Sequence, residues 1–152
     1  MPLESDDLDF TSQKLTAGDV DDITGQINST TKSLNLCDNN LGDAGVWALL
    51  QYLTQKSIAI KYIDLSNNAI TDQGAGYIAD ALKGQLGKQL KNLVLKANNI
   101  TDDGAKALLR SLPDNTTLRE LHLNMNDELS DEMLEAVEER FTRDELLGAF
   151  FR

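Results

Sequence analysis

Aliphatic and polar residues alternate in a short pattern that recurs along the chain. Two aliphatic residues stand two positions apart, and an asparagine follows three positions after the second. The pattern occurs at Leu34, Leu36 and Asn39, at Ile63, Leu65 and Asn68, at Leu93, Leu95 and Asn98, and at Leu121, Leu123 and Asn126. Such alternation predicts a short strand with one buried face. The asparagines recur every 28 to 30 residues, a spacing typical of a solenoid with one strand and one helix per repeat.

A helical pattern follows the first three strands. Glycine stands in the predicted first turn, and apolar residues then recur at intervals of three and four positions. The stripes are Val46, Leu49, Leu50 and Leu53, then Ala75, Ile78, Ala79 and Leu82, then Ala105, Leu108, Leu109 and Leu112. This spacing predicts helices with one buried face. The pairs Thr71-Asp72, Thr101-Asp102 and Ser130-Asp131 are predicted helix starts, with a hydroxyl cap and a carboxylate near the positive end of the helix dipole.

The chain is predicted to form a single domain over residues 1–152. Residues 31–141 hold four repeats, and residues 1–30 are a degenerate repeat that we expect to cap the N-terminal end of the core. Residues 142–152 are expected to cap the other end with a short helix that begins at Asp144. An alternative use of this tail is a docking or dimer surface, because it carries Phe150 and Phe151.

The repeated asparagines are predicted to hydrogen-bond inside the domain. An asparagine amide has two donors and one acceptor, and it can therefore pair backbone groups of its own turn and of the next repeat. A buried bend without such partners would leave backbone polar groups unpaired. We therefore expect a structural ladder of Asn39, Asn68, Asn98 and Asn126.

Charge narrows the classes of partner. The net charge is −11 and the pI is about 4.4, which argues against a nucleic-acid backbone or an anionic membrane as the main partner. No apolar run is long enough to span a bilayer, and the first residues lack the basic start of a secretory leader. A lone cysteine, Cys37, fits a reducing compartment. These features together predict a cytoplasmic protein.

The sequence Leu-x-Leu-x-x-Asn-x-Leu/Ile, followed by Asp-x-Gly-Ala and a helix, resembles the leucine-rich repeat family over residues 31–141. The resemblance is to its long, ribonuclease-inhibitor-like subtype. It implies an α/β fold, a curved right-handed solenoid with parallel strands on the concave face and helices on the convex face. It also implies a non-enzymatic scaffold that binds a protein partner on the concave face. About five repeats would form a short arc.

The candidate partner-binding residues are those expected on the concave face, between and beside the buried leucines. They are Lys32, Asn35, Lys61, Tyr62, Asp64, Lys91, Asn92, Val94, Lys96, Arg119, Glu120 and His122. Four of these are cations that recur at one repeat position, namely Lys32, Lys61, Lys91 and Arg119. The column is either a basic stripe for an acidic partner or a solvated edge that aids solubility. Trp47 is expected either to pack against the N-terminal cap or to bind a partner.

No catalytic, cofactor or metal site is predicted. The single histidine, His122, lies several predicted strands from Cys37, and one cysteine with one histidine cannot complete a zinc site. The acidic pairs Asp127-Glu128 and Asp131-Glu132 lack the spacing of a calcium loop. No glycine loop of the phosphate-binding kind is present.

Two other functions are left open by the fold. The first is a regulator of an enzyme, either a small-GTPase activator or an enzyme inhibitor, although no arginine stands in a predicted strand-to-helix turn. The second is a bacterial effector that acts in a host cytosol, suggested by the acidic run at Glu135, Glu138 and Glu139 before an apolar tail. We expect a monomer, with a dimer through the C-terminal tail as the alternative.

Overall fold

The computed structural model describes the backbone of residues 6–150 and the side chains of residues 6–143. Within this range five three-residue strands form one sheet in chain order, and every neighbouring pair is parallel. The strands are β1 (Asp7–Asp9), β2 (Ser33–Asn35), β3 (Tyr62–Asp64), β4 (Asn92–Val94) and β5 (Glu120–His122). The helices are α1 (Val20–Thr24), α2 (Gly42–Lys56), α3 (Asp72–Lys83), α4 (Asp102–Arg110) and α5 (Asp131–Phe150). Short 3-10 helices occupy Ala17–Asp19 and Leu86–Lys88.

Parallel strands that neighbour each other in both sequence and space require a crossover in every repeat, and the helices supply most of it. The strand-helix succession therefore stacks sideways into one continuous array. This confirms the predicted α/β solenoid. The predicted strand and helix of each full repeat are both present.

The core is aliphatic and lies between the sheet and the helices. The two leucine-type residues of each predicted strand pattern are buried, and so are nearly all residues of the three helix stripes. Ile60, Leu90 and Leu118 close the core ahead of strands β3 to β5. The equivalent residue before β2 is Thr31, which is fully buried but accepts a hydrogen bond at Oγ1 from the Asn28 N–H (3.1 Å). A polar side chain is tolerated there because its oxygen is paired.

Three helix starts were predicted from their hydroxyl residues, and the structure confirms them. The Thr71 side chain accepts a hydrogen bond from Gln73 N, and that of Thr101 accepts one from Asp103 N. The Ser130 Oγ accepts a hydrogen bond from Met133 N (3.2 Å). These oxygens pair N–H groups that have no partner within their own helix.

The predicted break before a separate tail helix is wrong. Helix α5 runs without interruption from Asp131 to Phe150, and the expected boundary between the repeats (31–141) and the cap (142–152) falls inside it. No proline or glycine stands between Asp131 and Leu147, so nothing in this stretch stops a helix once it has started. The side chains of Phe150 and Phe151, which were considered as a docking or dimer surface, lie outside the described residues.

The first part of α5 packs against the open end of the core. Val137 is buried, and Phe141 packs partly buried beside it. The Arg140 guanidinium donates hydrogen bonds to the backbone oxygens of Leu112 (2.9 Å) and Asn115 (3.3 Å), in the connection between α4 and β5. These contacts hold the helix across the last repeat.

Candidate functional site

Asparagine side chains bond each repeat to the repeat before it. The Asn98 Nδ2 donates to the backbone oxygens of Leu65 (3.0 Å) and Leu95 (3.1 Å). Its Oδ1 accepts from the N–H groups of Asn68 (2.9 Å) and Ile70 (3.1 Å). The same kinds of backbone contact are made by Asn39, Asn68 and Asn126. The asparagines therefore satisfy the buried backbone at every strand end.

Aspartate side chains bond each repeat to the repeat after it. The Asp72 carboxylate accepts hydrogen bonds from the Thr101 N–H (2.8 Å), the Thr101 hydroxyl (2.6 Å) and the Gly104 N–H (3.1 Å). Asp43 makes the same three contacts with Thr71 and Gly74. The sequence predicted for Asp72 and Asp102 only a favourable position near the positive end of the dipole of their own helices. In the sequence, an aspartate stands one repeat before each Thr-x-x-Gly. This recurrence predicts the second ladder.

The second ladder explains the glycines in the first helical turn. A Cβ built at Gly74 would collide with the Asp43 carboxylate, and one at Gly104 would collide with that of Asp72. Close approach of the neighbouring carboxylate is therefore the reason for glycine at these positions. Met133 occupies this position in the last repeat.

The last carboxylate of this ladder makes fewer bonds than the first two. Among the described residues Asp102 accepts from Ser130 alone, at its N–H and its hydroxyl (2.8 Å each). The Ser130 N–H, followed by its hydroxyl, lowers the pKa of the Asp102 carboxyl below its usual value. Hydrogen bonds to the charged form have this effect because they stabilise the carboxylate.

The open face of the sheet is the face turned away from the helices. On this face the predicted partner-binding residues form two columns. Strand register places Ser33, Tyr62, Asn92 and Glu120 in one column and Asn35, Asp64, Val94 and His122 in the other. Every member is at least partly exposed except Val94. The two columns therefore form a continuous mixed surface over four strands.

An open groove of about 610 Å³ lies over this face. It is lined by Cys37, Asp38, Tyr62, Asp64, Ser66, Asn67, Val94, Lys96, Ala97, Glu120, His122 and Met125. The Tyr62 hydroxyl donates to Asp64 Oδ2 (3.4 Å). Burial, followed by the nearby Asp64 charge, raises the pKa of the Tyr62 phenol. The phenol therefore stays protonated and can act as a hydrogen-bond donor.

The two candidate reactive side chains of the groove are not suited to act together. Burial, followed by the charges of Asp64 and Asp38, raises the pKa of the Cys37 thiol to about 11. At neutral pH this thiol is protonated and is a poor nucleophile. His122 is on β5, three strands from Cys37, and its Nε2 lies 3.0 Å from Glu120 Oε2. This contact, chiefly as a hydrogen bond, lowers the pKa of Glu120.

The groove also contains exposed apolar surface and an unpaired hydroxyl. Met125 is 72% exposed and has a φ of 65°, in the left-handed region. The same turn position is left-handed in every repeat and is occupied elsewhere by Ser12, Asp38, Asn67 and Ala97. Asparagine and aspartate tolerate this conformation better than methionine does. In the groove wall, the buried Ser66 Oγ has no hydrogen-bond partner among the described residues.

The four repeated cations lie along the edge of the sheet where the strands begin. The Lys61 N–H donates to Lys32 O (2.7 Å), the Lys91 N–H donates to Lys61 O (2.9 Å), and the Arg119 N–H donates to Lys91 O (2.8 Å). The backbone thus holds them side by side across four strands. They flank the open face and do not line the groove described above.

Trp47 lies on the side of α2 that faces α3. Tyr77, Asp80 and Ala81 of α3 line the same small surface depression, and half of the Trp47 surface is exposed. The expected packing against the N-terminal cap is therefore wrong. Trp47 lies on the side of α2 that faces the following repeat, and the N-terminal cap lies on the opposite side.

Two further properties concern the described residues only. In residues 6–143, no group of three or more histidine, cysteine, aspartate or glutamate side chains is placed to hold a metal ion. Across that same part of the chain, no helix combines the length and the apolar character needed to cross a membrane.

One strand and one helix per repeat, joined by side-chain ladders, define a repeat protein of the α/β solenoid class. The family model described as "Leucine Rich repeat" matches residues 28–50, 57–79, 90–109 and 114–137, which is more than half of the chain. The chain belongs to the leucine-rich repeat family. Proteins of this family generally mediate protein–protein interaction.

Curated relatives share the repeats but are much longer. The chain is 36% identical over 98 residues to NACHT, LRR and PYD domains-containing protein 9B of Mus musculus, covering 64% of this chain and 10% of that protein. It is 34% identical over 115 residues to the mouse Tonsoku-like protein, covering 72% and 8%. It is also 34% identical over 89 residues to the mouse ribonuclease inhibitor, covering 59% and 19%. The chain thus spans less than a fifth of each of these relatives.

Solved structures share the fold. The chain superposes on the tropomodulin C-terminal domain of Caenorhabditis elegans with a TM-score of 0.63 and 17% identity, covering 90% of this chain and 97% of that one. A structure described as "Leiomodin-1 Actin-Binding Site 2 (ABS2)" gives a TM-score of 0.61 at 22% identity, covering 80% of this chain and 67% of that one. At these identities the likeness is one of fold.

Proposed function

We propose that the chain is a non-enzymatic module that binds a protein partner on the open face of its sheet. The observation that carries this proposal is the exposed Met125, which lines the same groove as Val94 and Tyr62. Met125 carries two costs in the isolated domain. The first is that its apolar side chain is exposed to water, and the second is that its backbone has the left-handed conformation. A partner that covers Met125 would remove the first of these costs.

The rest of the groove fits the same function. The Tyr62 ring and the Met125 side chain offer apolar contact, while Asp64, Lys96 and the His122–Glu120 pair offer polar contacts around them. Protein interfaces combine apolar anchors with a polar surround in this way. The protonated Cys37 thiol and its separation from His122 give no support to nucleophilic catalysis.

Position-specific crosslinking tests where a partner binds. A photo-crosslinking amino acid would replace Asn92 or His122 on the open face, and Gln51 or Lys106 on the helical side as controls. We expect a crosslinked protein of the same size from both open-face positions and none from the controls. Crosslinks from the helical positions alone would overturn the proposal.

A second variant separates binding from stability. Met125→Asn places a residue that favours the left-handed turn where an apolar side chain now stands. We expect the thermal midpoint to rise slightly while the yield of the crosslinked partner falls. Ser12→Asn is the matched control, because Ser12 has the same turn conformation (φ 57°) and lies outside the groove lining. Unchanged crosslinking in Met125→Asn would remove Met125 from the proposed surface.

A further inference from the structure

Positive charge is concentrated at one edge of the solenoid. Because all strands are parallel, they all begin at the same edge, and helices α2 to α4 end there. This edge holds more than half of the chain's 14 lysines and arginines. We call it the basic edge and define it by Lys32, Lys56, Lys61, Lys83, Lys88, Lys91, Arg110 and Arg119.

Negative charge is concentrated at the opposite edge, where the strands end and the helices begin. That edge holds Asp38, Asp43, Asp72, Asp102, Asp103, Asp127, Glu128, Asp131 and Glu132. On the basic edge the described carboxylates include Asp6 at the start of β1, Asp80 in the last turn of α3, Asp114 in the connection before β5, and Glu120 and Glu138, which line one depression with Arg119. The chain as a whole has a negative net charge, but cations predominate at one edge and carboxylates at the other.

Helix dipoles account for part of this arrangement. Lys56, Lys83 and Arg110 stand in the last turns of α2, α3 and α4, where cations stabilise the negative helix ends. Lys83 also forms an exposed ion pair with Asp80 (3.5 Å). These three residues therefore have a structural explanation that does not require a partner.

The column at the strand starts has no such explanation, because sheets carry little net dipole. Among residues 6–143, none of Lys32, Lys61, Lys91 and Arg119 forms an ion pair with a carboxylate. The Lys61 Nζ donates to the neutral Gln89 Oε1 (3.1 Å). Like charges on adjacent strands, about 4.8 Å apart, repel one another. Their alignment is unfavourable unless an anion lies against them.

A groove opens next to this column on the same edge. It has a volume of about 490 Å³, and Lys83, Lys88 and Arg110 line it together with the single carboxylate of Asp114. Lys88 ends a 3-10 helix only three residues before Lys91. The groove and the column are therefore parts of one positively charged surface.

We propose that the basic edge is the docking surface for an acidic protein segment, rich in aspartate and glutamate. The segment lies across the strand starts from Lys32 to Arg119 and extends into the groove beside Lys88. This inference rests on the proposed function, since it names the chemistry of the partner and adds the edge to its contact surface. Charge complementarity carries the proposal.

A short acidic segment fits this surface better than other polyanions do. The net charge is −11, and the acidic edge lies at the opposite ends of the same strands and helices. An extended phosphate polymer or an anionic membrane would also face that edge and be repelled by it. A segment confined to the basic edge meets mainly cations.

The test uses the full chain and a fluorescein-labelled peptide of ten glutamates at low ionic strength. Binding is measured by fluorescence anisotropy, and amide shifts are mapped by NMR. We expect saturable binding and shifts at Lys32, Lys61, Lys91 and Arg119, with none at the acidic edge. The charge-reversal pair Lys32→Glu and Lys91→Glu should weaken binding by about tenfold or more.

A matched pair controls for net charge. Lys14→Glu with Lys106→Glu changes the total charge equally at exposed sites away from the basic edge, and it should alter the affinity by no more than about threefold. Equal weakening by both pairs, binding of a ten-glutamine peptide as tight as that of the glutamate peptide, or no saturable binding by the wild type would each overturn the proposal.

The remaining outcomes distinguish this inference from others. Tighter binding to phosphatidylserine vesicles or to single-stranded DNA than to the glutamate peptide, at the same salt concentration, would overturn the choice of an acidic protein segment. If the peptide binds as expected while the open-face crosslinks fail, the proposed function fails and the edge alone is the binding surface. If open-face crosslinks form but the peptide does not bind, only the present inference fails.

Discussion

A ladder asparagine and the residue next to it differ in nearly every physical respect. The Asn98 side chain is buried and bonds the backbone of two repeats, whereas Asn99 is exposed and contributes its backbone N–H to Ile70 O. The sequence distinguishes them only by position within the repeat. The repeat spacing predicted which asparagines turn inward. Of two adjacent asparagines, such as Asn98 and Asn99, only one recurs at a fixed distance from the leucines of every repeat.

This contrast predicts unequal costs for removing the two amides. Asn98→Ala leaves buried backbone groups of the adjoining repeat without partners, and it should lower the free energy of unfolding by about 1–3 kcal/mol. Asn99→Ala should change it by less than about 0.5 kcal/mol. Urea denaturation of both variants measures the difference. Equal small effects would contradict a stabilising role of the ladder amides.

The groove hydroxyl of Ser66 was not foreseen, because no sequence pattern reports whether a buried hydroxyl has a partner. A buried hydroxyl without a hydrogen bond is unfavourable, so Ser66→Ala should leave stability unchanged or raise it by up to about 1 kcal/mol. Ser111 is equally buried, but its hydroxyl donates to Leu108 O. Ser111→Ala should therefore lower stability by about 1 kcal/mol. Thermal unfolding of both variants decides the sign, and a clear loss in Ser66→Ala would show that its hydroxyl is paired.

At the scale of elements, the starts of α3, α4 and α5 are each completed by an aspartate of the preceding repeat. Sequence reasoning found the hydroxyl caps, since Ser and Thr before a helical stripe are local signals. It did not find that the aspartates act across the repeat boundary, because a local pattern does not show which neighbour a carboxylate reaches. It also placed the start of a separate tail helix at Asp144, since a good capping residue can equally stand inside a helix.

The Asp102 contact predicts a pH dependence with a definite sign. Its pKa is lowered in the folded protein by the Ser130 N–H and hydroxyl, so its stabilisation is present above the unfolded pKa of about 3.9. It is lost as the pH falls through the lower, folded pKa. Wild type should be more stable than Asp102→Asn at neutral pH, and the gap should close in the acid range.

Urea denaturation at a series of pH values between neutral and strongly acidic tests this expectation. The control is Asp103→Asn, which removes a carboxylate from the same helical turn, where Asp103 is exposed. A gap that stays constant down to strongly acidic pH, or a gap of the same size in the control, would exclude the Ser130 contact as the source.

For the whole molecule, the aliphatic pattern and the repeat length were enough to predict the architecture. The strand alternation, as at Leu93 and Leu95, and the helical stripes recur at the same positions of each repeat. The repeats can then stack in only one arrangement. The distribution of function over the surface could not be predicted in the same way. The turn that exposes Met125 and the edge that collects the cations depend on three-dimensional placement, and Trp47 was assigned to the wrong neighbouring repeat for that reason.

A continuous core over five strands predicts that the domain unfolds as one unit. Trp47 is the only tryptophan and reports on the second repeat, whereas far-ultraviolet circular dichroism reports on all helices. The two thermal transitions should coincide, as expected for a small domain without intermediates. A tryptophan transition that comes clearly earlier or later than the dichroism transition would show that the repeats unfold separately.

The two ladders run in opposite directions, the amides toward the preceding repeat and the carboxylates toward the following one. Each junction between the four full repeats is thus closed by one side chain from each neighbour, and the residues needed on both sides recur from repeat to repeat. A duplicated internal repeat would therefore bring with it both halves of each new junction. The length of the array is free to change by whole units without redesign of the interior.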